Sequence, residues 1–198
     1  MNGNLNDTIN GANLYNGYNY SFTSDRFNNS NSAIYINNGF LQIPDGYYFN
    51  GDFSVSIWIK INSFNEYVRI IDFGCITMSV FGSTGQVLIK TNTQSGFSNL
   101  FASSSIQLGL WYHLAYVLQE TTGFVYVNGV LVSSGQQLRT DYDIRTNNYL
   151  ARSQSYINTN AIYDELRLYE GAISSSQIAN YYFQSIIGKY KYIKNFNN

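Results

Sequence analysis

Charged residues are scarce in this chain of 198 residues: they make up 12% of it, whereas globular proteins carry roughly 25%. The 11 basic and 12 acidic residues leave a net charge of -1. The protein therefore has no field that would attract a polyanion, and a nucleic-acid binder is not expected. Asn, Ser, Gly and Tyr take the place of the missing charges. The length suits one domain better than two, so we predict a single domain over residues 1–198, with 1–20 and 188–198 as peripheral extensions.

Cysteine, proline and histidine each occur once. Cys75 alone can form no disulfide within the chain, and together with His113 it supplies too few ligands for zinc. By the alternation of apolar residues, His113 falls on a core-facing position and is interpreted as a structural histidine. No apolar run approaches the roughly 18 to 20 residues that span a bilayer. The first ten residues have neither the basic nor the apolar segment of a signal peptide, so either a cytosolic protein or a mature fragment is expected.

Alternation of apolar and polar residues with a period of two runs through most of the chain and predicts an all-β fold. The odd positions of segment 53–61 are all apolar, which predicts a strand with one buried face and puts Trp58 on the other face. Residues 111–119 are predicted to form a second long strand. Asn128-Gly129 lies between two β-branched runs and predicts a two-residue hairpin, because both turn positions need φ > 0. Shorter strands are predicted at 33–36 and 40–43 (joined by a turn), 67–73, 76–80, 87–91, 149–152 and 161–169.

One short helix is predicted near the end of the chain. Ser174 and Gln177 have the spacing of a capping box, in which each side chain bonds the backbone N–H of the other residue. Ile178, Tyr181 and Tyr182 then follow on one side of the helix. The lysine- and aromatic-rich end of the chain is predicted to be a solvated tail, with an edge strand or a partner-binding tail as the alternative.

Four stretches follow one another in a characteristic order. They are residues 25–27 with 33–36 and 40–44, residues 53–60, residues 111–117 leading into 126–130, and residues 161–169 closed by 172–174 and 177–178. In this order they resemble a laminin-G-like domain of the concanavalin A-like lectin/glucanase superfamily, over roughly residues 20–185. The resemblance implies a two-sheet antiparallel jelly-roll sandwich, with one convex and one concave sheet. It implies no particular ligand, because such domains bind sugars, bind proteins or hold larger assemblies together.

Carboxylates are too few and too poorly spaced for glycoside hydrolysis. Glucanases of this superfamily place two or three carboxylates on one strand, so that they point into a single cleft. Asp141 and Asp143 come nearest to this spacing, but they lie in a polar stretch with no strand pattern and no further acid nearby. Asp164 and Glu165 are adjacent, and neighbours on a strand point to opposite faces. No enzyme is therefore expected.

The resemblance also implies a structural calcium ion. In this family the acidic residue that opens the last long strand often ligates calcium, and that position is Asp164. Asp25 and backbone carbonyls of the Asn-rich N-terminal segment can complete such a site, because calcium takes oxygen ligands. The alternative is that Asp164 pairs with Arg167 or caps a turn.

Aromatic and amide side chains supply the chemistry for sugar binding, because sugars offer C–H patches and paired hydroxyls. We predict ligand contacts from Trp58, which lies opposite the apolar face of its strand, and from Asn92, Arg152 and Tyr156, which loops can bring to one rim. The alternatives are that Trp58 is packed and that the rim residues belong to ordinary polar loops.

These observations predict a non-catalytic recognition or adhesion module of the extracellular or cell-surface type, which binds glycans or glycoproteins. The main alternative is a structural protomer of a filament or surface coat, because low charge and many tyrosines favour association through strand edges. A glycoside hydrolase is the third hypothesis.

Overall fold

The computed structural model describes residues 3–7, 11–153 and 159–191, with side chains up to residue 184. Within these residues the chain forms fourteen strands and one helix. The elements are β1 (Tyr15–Thr23), β2 (Ala33–Ile43), β3 (Gly46–Tyr47), β4 (Phe53–Ser63), β5 (Tyr67–Asp72), β6 (Ile76–Phe81), β7 (Gln86–Thr93), β8 (Gly96–Ser105), β9 (Trp111–Gln119), β10 (Thr122–Val127), β11 (Val130–Gln136), β12 (Ile144–Arg145), β13 (Asn148–Leu150), β14 (Asn160–Glu170) and α1 (Ser175–Lys191).

Twelve of the strands form one antiparallel sheet that closes into a sandwich. The strand order is β11-β10-β9-β4-β14-β2-β13-β5-β6-β7-β8, and β1 pairs with the free side of β2. β2 links the two layers, because residues 34–37 pair with β14 and residues 41–43 pair with β13. The two ends of this order, β8 and β11, pack beside each other, and the Ser103 hydroxyl donates to the Val132 carbonyl. The predicted all-β jelly-roll sandwich is confirmed.

The hydrophobic core lies between the two layers and follows the alternation of the sequence. On β4 the odd residues Val55, Ile57 and Ile59 are buried in it, because successive side chains of a strand point to opposite faces. Aromatic rings close one end, where Phe49 lies 4.5 Å from Phe53 between ring centroids. Burial of this apolar surface is the main stabilising contribution to the fold.

Helix α1 covers part of the outer face of the β10-β9-β4-β14 layer. Its predicted capping box is present: Gln177 N donates to Ser174 Oγ at 3.2 Å, and Ser174 N donates to Gln177 Oε1 at 2.9 Å. Ile178 is fully buried against Ala115, Val117 and Tyr126 of the sheet. In the described part of the chain, no helix has the length and apolar character needed to cross a membrane.

One predicted turn is present and another is not. Asn128 and Gly129 have φ values of 52° and 79°, which are the values that the predicted hairpin requires. The turn predicted at residues 37–39 is wrong, because β2 runs through it as one strand. Glycine is required at position 39 by close packing and not by a turn, because a Cβ atom on Gly39 would collide with the Tyr18 carbonyl of β1.

The edge strand β1 is exposed but irregular. Its register against β2 shifts between Tyr15 and Tyr18 and again between Tyr18 and Tyr20, and Asn16 and Asn19 adopt positive φ. Such bulges bend an edge strand and are a common protection against pairing with another chain. The exposed tyrosines of β1 therefore do not form a flat template for filament growth.

Candidate functional site

Trp58 is buried, although the sequence suggests it for stacking on a sugar. It lies on the outer face of β4 and is 5% exposed. The Tyr182 ring of α1 stacks on it with 5.8 Å between centroids, and the Arg26 guanidinium carbon lies 4.5 Å from its centroid. Because both neighbours cover the indole, Trp58 offers no open face to a ligand.

The residues predicted to hold calcium contact a guanidinium and backbone amides. Arg26 Nη1 donates to Asp164 Oδ2 at 2.7 Å and Nη2 donates to Glu165 Oε1 at 2.5 Å, and the Arg26 and Asp164 side chains are almost fully buried. Asp25 Oδ1 accepts two backbone N–H groups of its own loop, at 2.8 and 2.9 Å. Arg26 thus supplies the positive charge that a cation would bring, so this donor set does not fit calcium. Among the described residues, no group of three or more His, Cys, Asp or Glu side chains could hold a metal ion.

Arg152 and Asn92 do not share a contact in the described structure. The Arg152 guanidinium carbon lies 4.6 Å from the Phe40 ring centroid and 4.8 Å from that of Tyr149, whereas Asn92 faces the turn after β5. Tyr156 lies outside the described residues. Arg152 and Asn92 therefore have different neighbours, and the rim that the sequence predicts from these three residues stays a prediction.

Asn92 lines an open cleft of about 330 Å³. The cleft lies between the turn after β5, the end of β7 and the loop that carries β12. Its lining residues are mostly polar: Gly74, Cys75, Asn92, Thr93, Gln94, Asp141, Asp143 and Arg145. We call it the carboxylate cleft. The Asn92 side chain is fixed in it, because Nδ2 donates to the Gly74 carbonyl at 3.0 Å.

The loop that carries the two carboxylates is held by buried polar side chains. Arg145 is buried, donates from Nε to the Tyr48 carbonyl at 3.5 Å, and donates from Nη2 to the Asp141 carbonyl. Asn148 is fully buried and donates from Nδ2 to the carbonyls of Pro44 and Arg145, at 3.0 Å each. These bonds satisfy backbone groups of two loops at once, so they give the cleft a fixed wall.

A pair of exposed tyrosine rings includes Tyr142, the residue between the two cleft aspartates. Tyr142 falls between the two cleft carboxylates in sequence, and its ring centroid is 5.3 Å from that of Tyr47. The pairing of β3 with β12 brings the two segments together, with Tyr47 opposite Ile144. Tyr47 and Tyr142 are 57% and 77% exposed. Exposed aromatic rings next to polar groups are the combination that a sugar ring requires.

The carboxylates of the cleft face solvent and are oriented by backbone amides. Gln94 N donates to Asp141 Oδ2 at 3.3 Å, and Ile144 N donates to Asp143 Oδ1 at 2.8 Å. Both aspartates are exposed, whereas the balancing charge of Arg145 is buried. The surface that a ligand meets is thus rich in hydrogen-bond acceptors and carries negative charge.

The thiol and the imidazole are both neutral at physiological pH. Burial raises the pKa of Cys75, on the wall of the cleft, to about 11, so it is not a nucleophile there. Burial lowers the pKa of His113 to about 4. The predicted burial of His113 is confirmed. However, the face of β9 that carries His113 packs against α1 and does not point into the core between the two layers. Ala115 and Val117, on the same face, contact Ile178 of the helix.

The sequence identifies part of this cleft. It predicts Asn92 as a site residue, and it singles out Asp141 and Asp143 only as an incomplete catalytic pair. Arg145 carries no signal of its own, because it is placed at the cleft by the pairing of two very short strands that are distant in the chain. The same pairing brings Tyr47 to Tyr142. The available signal was an aromatic residue between two aspartates in a polar loop.

A family model described as the concanavalin A-like lectin/glucanases superfamily matches residues 35–179. Among curated proteins, no sequence matches the chain.

Several solved structures share the fold. The binding domain of Paraclostridial Mosquitocidal Protein 1 has a TM-score of 0.74 and 16% identity, covering 93% of this chain and 50% of that one. Domain 4 of AbnA, a GH43 extracellular arabinanase from Geobacillus stearothermophilus solved in complex with arabinotriose, has a TM-score of 0.69 and 23% identity, covering 90% and 93%. The receptor-binding domain of botulinum neurotoxin type G has a TM-score of 0.67 and 14% identity, covering 88% and 47%. The chain spans about half the length of the two toxin binding domains and nearly all of the arabinanase domain.

Proposed function

Because the chain belongs to the concanavalin A-like lectin/glucanases superfamily, we propose that it is a non-catalytic recognition module that binds neutral glycans in the carboxylate cleft. One observation carries the proposal: the two carboxylates of a fixed polar cleft flank Tyr142 in the chain, and the exposed ring of Tyr142 pairs with that of Tyr47. The volume of about 330 Å³ falls within the range of about 300 to 1,000 Å³ that is usual for small-molecule sites.

The chemistry of the lining suits hydroxyl groups. The carboxylates of Asp141 and Asp143 accept hydrogen bonds from sugar hydroxyls, and the side-chain amides of Asn92 and Gln94 can both donate and accept. Hydrogen bonds to ionised carboxylates are stronger than those between neutral groups. The exposed ring of Tyr142 offers a flat face to the C–H groups of a sugar.

The charge of the cleft favours neutral over acidic sugars. Asp141 and Asp143 lie at its surface, whereas the compensating guanidinium of Arg145 is buried and bonded to carbonyl groups. A uronic or sialic acid would bring its carboxylate close to the carboxylates of Asp141 and Asp143, and like charges repel.

Binding without hydrolysis is supported by the environment of the carboxylates. A glycosidase needs one carboxyl that stays protonated, and burial is what raises a carboxyl pKa for that role. Asp141 and Asp143 are both exposed. The exposed pair therefore lacks the buried setting in which a glycosidase places its acid.

The comparison with the arabinanase domain also supports this function. That domain is matched over 93% of its length, so its arabinotriose complex bears on the chain more directly than do the toxin domains, which are matched over half. That enzyme is described as extracellular, and we propose that this chain likewise meets its glycan outside the cell.

A glycan array followed by isothermal titration calorimetry tests the proposal. We expect neutral glycans, with arabinotriose as the first probe, to bind and acidic ones to remain unbound. Asn92→Ala and Tyr142→Ala should each weaken binding about five- to tenfold, because each substitution removes a contact that contributes about 1 kcal/mol to the binding free energy. Tyr18→Ala is the matched control, since Tyr18 is an exposed tyrosine on β1.

Two results would overturn the proposal. If no neutral glycan binds, the function is wrong. If neutral glycans bind equally well to the wild-type protein and to both cleft variants, the carboxylate cleft is not the site.

A further inference from the structure

We infer that the binding site continues beyond the carboxylate cleft, around the tip of the β7–β8 hairpin, and that its ligand is a linear neutral oligosaccharide rather than a single sugar. This inference rests on the proposed function of the cleft. It depends on a second recess that shares the hairpin with the cleft.

The second recess has a volume of about 420 Å³. It is lined by residues of β8, of the β9–β10 turn and of the segment after β11: Phe97, Ser98, Thr121, Gln136, Gln137, Leu138 and Arg139. We call it the Phe97 recess. Like the cleft, it combines an aromatic ring with planar polar groups, here the exposed amide of Gln136 and the guanidinium of Arg139.

Phe97 is the aromatic surface of this recess. It is 66% exposed, and the Lys90 ammonium lies 5.2 Å from its ring centroid. Phe97 is paired with Asn92 across the β7–β8 ladder, so one cross-strand pair supplies a residue to each recess. A large exposed ring directly beside a polar site favours ligand stacking, whereas isolated exposed apolar side chains need no such explanation.

The hairpin and the chain segment that crosses it form one fixed frame. The hydroxyls of Thr91 and Ser98 donate to Gln137 Oε1 at 3.2 and 3.1 Å. On the other side of the hairpin tip, Gln94 N donates to Asp141 Oδ2 at 3.3 Å. The two recesses are therefore set relative to each other before a ligand arrives, which reduces the entropy lost on binding.

A ligand that fills both recesses is larger than one sugar unit. Asn92 lines the cleft and its cross-strand partner Phe97 lines the second recess, so the two recesses adjoin the same residue pair. Each volume, about 330 and about 420 Å³, is in the range of a complete small-molecule site, so a linear chain of several units suits the pair better than a single sugar. The Arg139 guanidinium at the second recess is paired with Asp52 at 3.1 Å, so the second recess also suits a neutral chain.

Calorimetry with oligosaccharides of increasing length tests this inference. The probes are linear arabino-, xylo- and cello-oligosaccharides of one, three and six units. For the series that binds, we expect affinity to rise about tenfold from the shortest to the longest member. Phe97→Ala should remove most of this rise and leave the affinity for the shortest bound probe unchanged. Phe183→Ala is the control, because Phe183 is also strongly exposed (55%) but belongs to α1.

The outcomes separate this inference from the proposed function. If binding depends on Asn92 and Tyr142 but not on chain length or on Phe97, the cleft is a glycan site and the extended site is wrong. A glycan that binds only as a single terminal unit leads to the same conclusion. If no probe and no glycan on the array binds, both proposals fail. Melting temperatures of the variants confirm that each one is folded.

Discussion

At the scale of the residue, Arg26 decides the chemistry of the face that the family resemblance assigns to calcium. Its guanidinium is buried between the rings of Phe27 and Trp58, at 4.5 Å from each centroid, and bonds the carboxylates of Asp164 and Glu165. Burial acts to raise the pKa of Glu165, but the bond and charge of Arg26 outweigh it and the net pKa shift is downward. Arg26 thus ties the loop after β1 to the sheet, and Arg167 adds a second ion pair to Glu165 at 2.8 Å.

Replacing Arg26 should therefore be costly. Arg26→Met leaves the Asp164 carboxylate buried without its guanidinium, and losing one partner of a buried ion pair costs about 3 to 5 kcal/mol. Chemical denaturation measures this loss in the free energy of unfolding. The matched control is Arg139→Met, whose ion pair with Asp52 is partly exposed at 3.1 Å and should contribute less than about 1 kcal/mol. Equal effects of the two substitutions would contradict this account of Arg26.

The same arrangement predicts independence from calcium. Because Arg26 bonds Oδ2 of Asp164 and the backbone amide of Glu165 bonds Oδ1, neither EDTA nor added calcium should move the melting temperature of the wild-type protein. A metal bound only by the folded state must raise that temperature. A fall of more than about 3 °C on adding EDTA, corresponding to a loss of roughly 1 kcal/mol, would show that a calcium site exists after all.

His113 makes the stability depend on pH. Its pKa is lowered to about 4 by burial, whereas an unfolded histidine titrates near 6.5. Below pH 6.5 the histidine binds a proton in the unfolded state, whereas His113 in the folded state stays neutral down to about pH 4. The free energy of unfolding therefore falls as pH decreases from about 6.5 to about 4. The full effect is of the order of 3 kcal/mol.

Denaturation curves of the wild-type protein and of His113→Gln at several pH values isolate this effect. The difference in unfolding free energy between the two proteins should change across this window and stay constant above pH 7. A constant difference throughout would mean that His113 titrates normally in the folded protein.

At the scale of the element, α1 turns an outer sheet face into a second, smaller core. Its Ile178 contacts Ala115, Val117 and Tyr126, and Tyr182 stacks on Trp58. The capping box at Ser174 fixes where the helix begins. Because the helix lies over β4, β9 and β10, this face is not available for a glycan.

Truncation of Ile178 tests the docking of the helix. Ile178→Ala should destabilise the protein by about 2 to 4 kcal/mol, because a fully buried side chain is replaced by a cavity. Trp58 fluorescence should also shift to the red if the helix loosens and water reaches the indole. Phe183→Ala, on the exposed side of the same helix, should have little effect on either measurement. Unchanged stability of Ile178→Ala would show that α1 contributes nothing to the core.

At the scale of the whole molecule, the low charge defines the kind of ligand. A net charge of -1 and a cleft with two exposed carboxylates give no long-range attraction for an acidic partner. Under the proposed function, binding therefore depends on short-range contacts: hydrogen bonds and stacking on the rings of Tyr142 and Phe97.

The affinity for a neutral glycan should consequently be insensitive to salt. We expect the dissociation constant for arabinotriose to change less than about twofold between about 50 mM and about 500 mM NaCl, because screening acts only on charged partners. Calorimetry at the two salt concentrations measures this. A loss of affinity of tenfold or more in high salt would point to an ionic ligand and against a neutral one.

Local patterns in the sequence were sufficient to predict most of the fold. The alternation in β4, the largely apolar segment of β9, the Asn128-Gly129 turn and the Ser174 capping box are each set by neighbouring residues, and the structure confirms all of them. β1 and β8 were not predicted, because their polar and small residues carry little alternation and depend on their partner strands. The turn predicted within β2 failed for a related reason, since close packing against β1 overrode a local turn signal.

What the sequence by itself determined is the pattern of faces, strands and caps, together with a low net charge that provides no field for a polyanion. What only the tertiary structure decided is which of those faces is covered and which polar residues meet. A period of two shows that Trp58 lies opposite the apolar face of β4, but only the packing of α1 and Arg26 buries it. Likewise Asn92 and Asp141 share a cleft only because distant segments of the chain are brought together by the sheet. Local sequence fixes the direction of a side chain, whereas its neighbours depend on long-range packing that no single segment encodes.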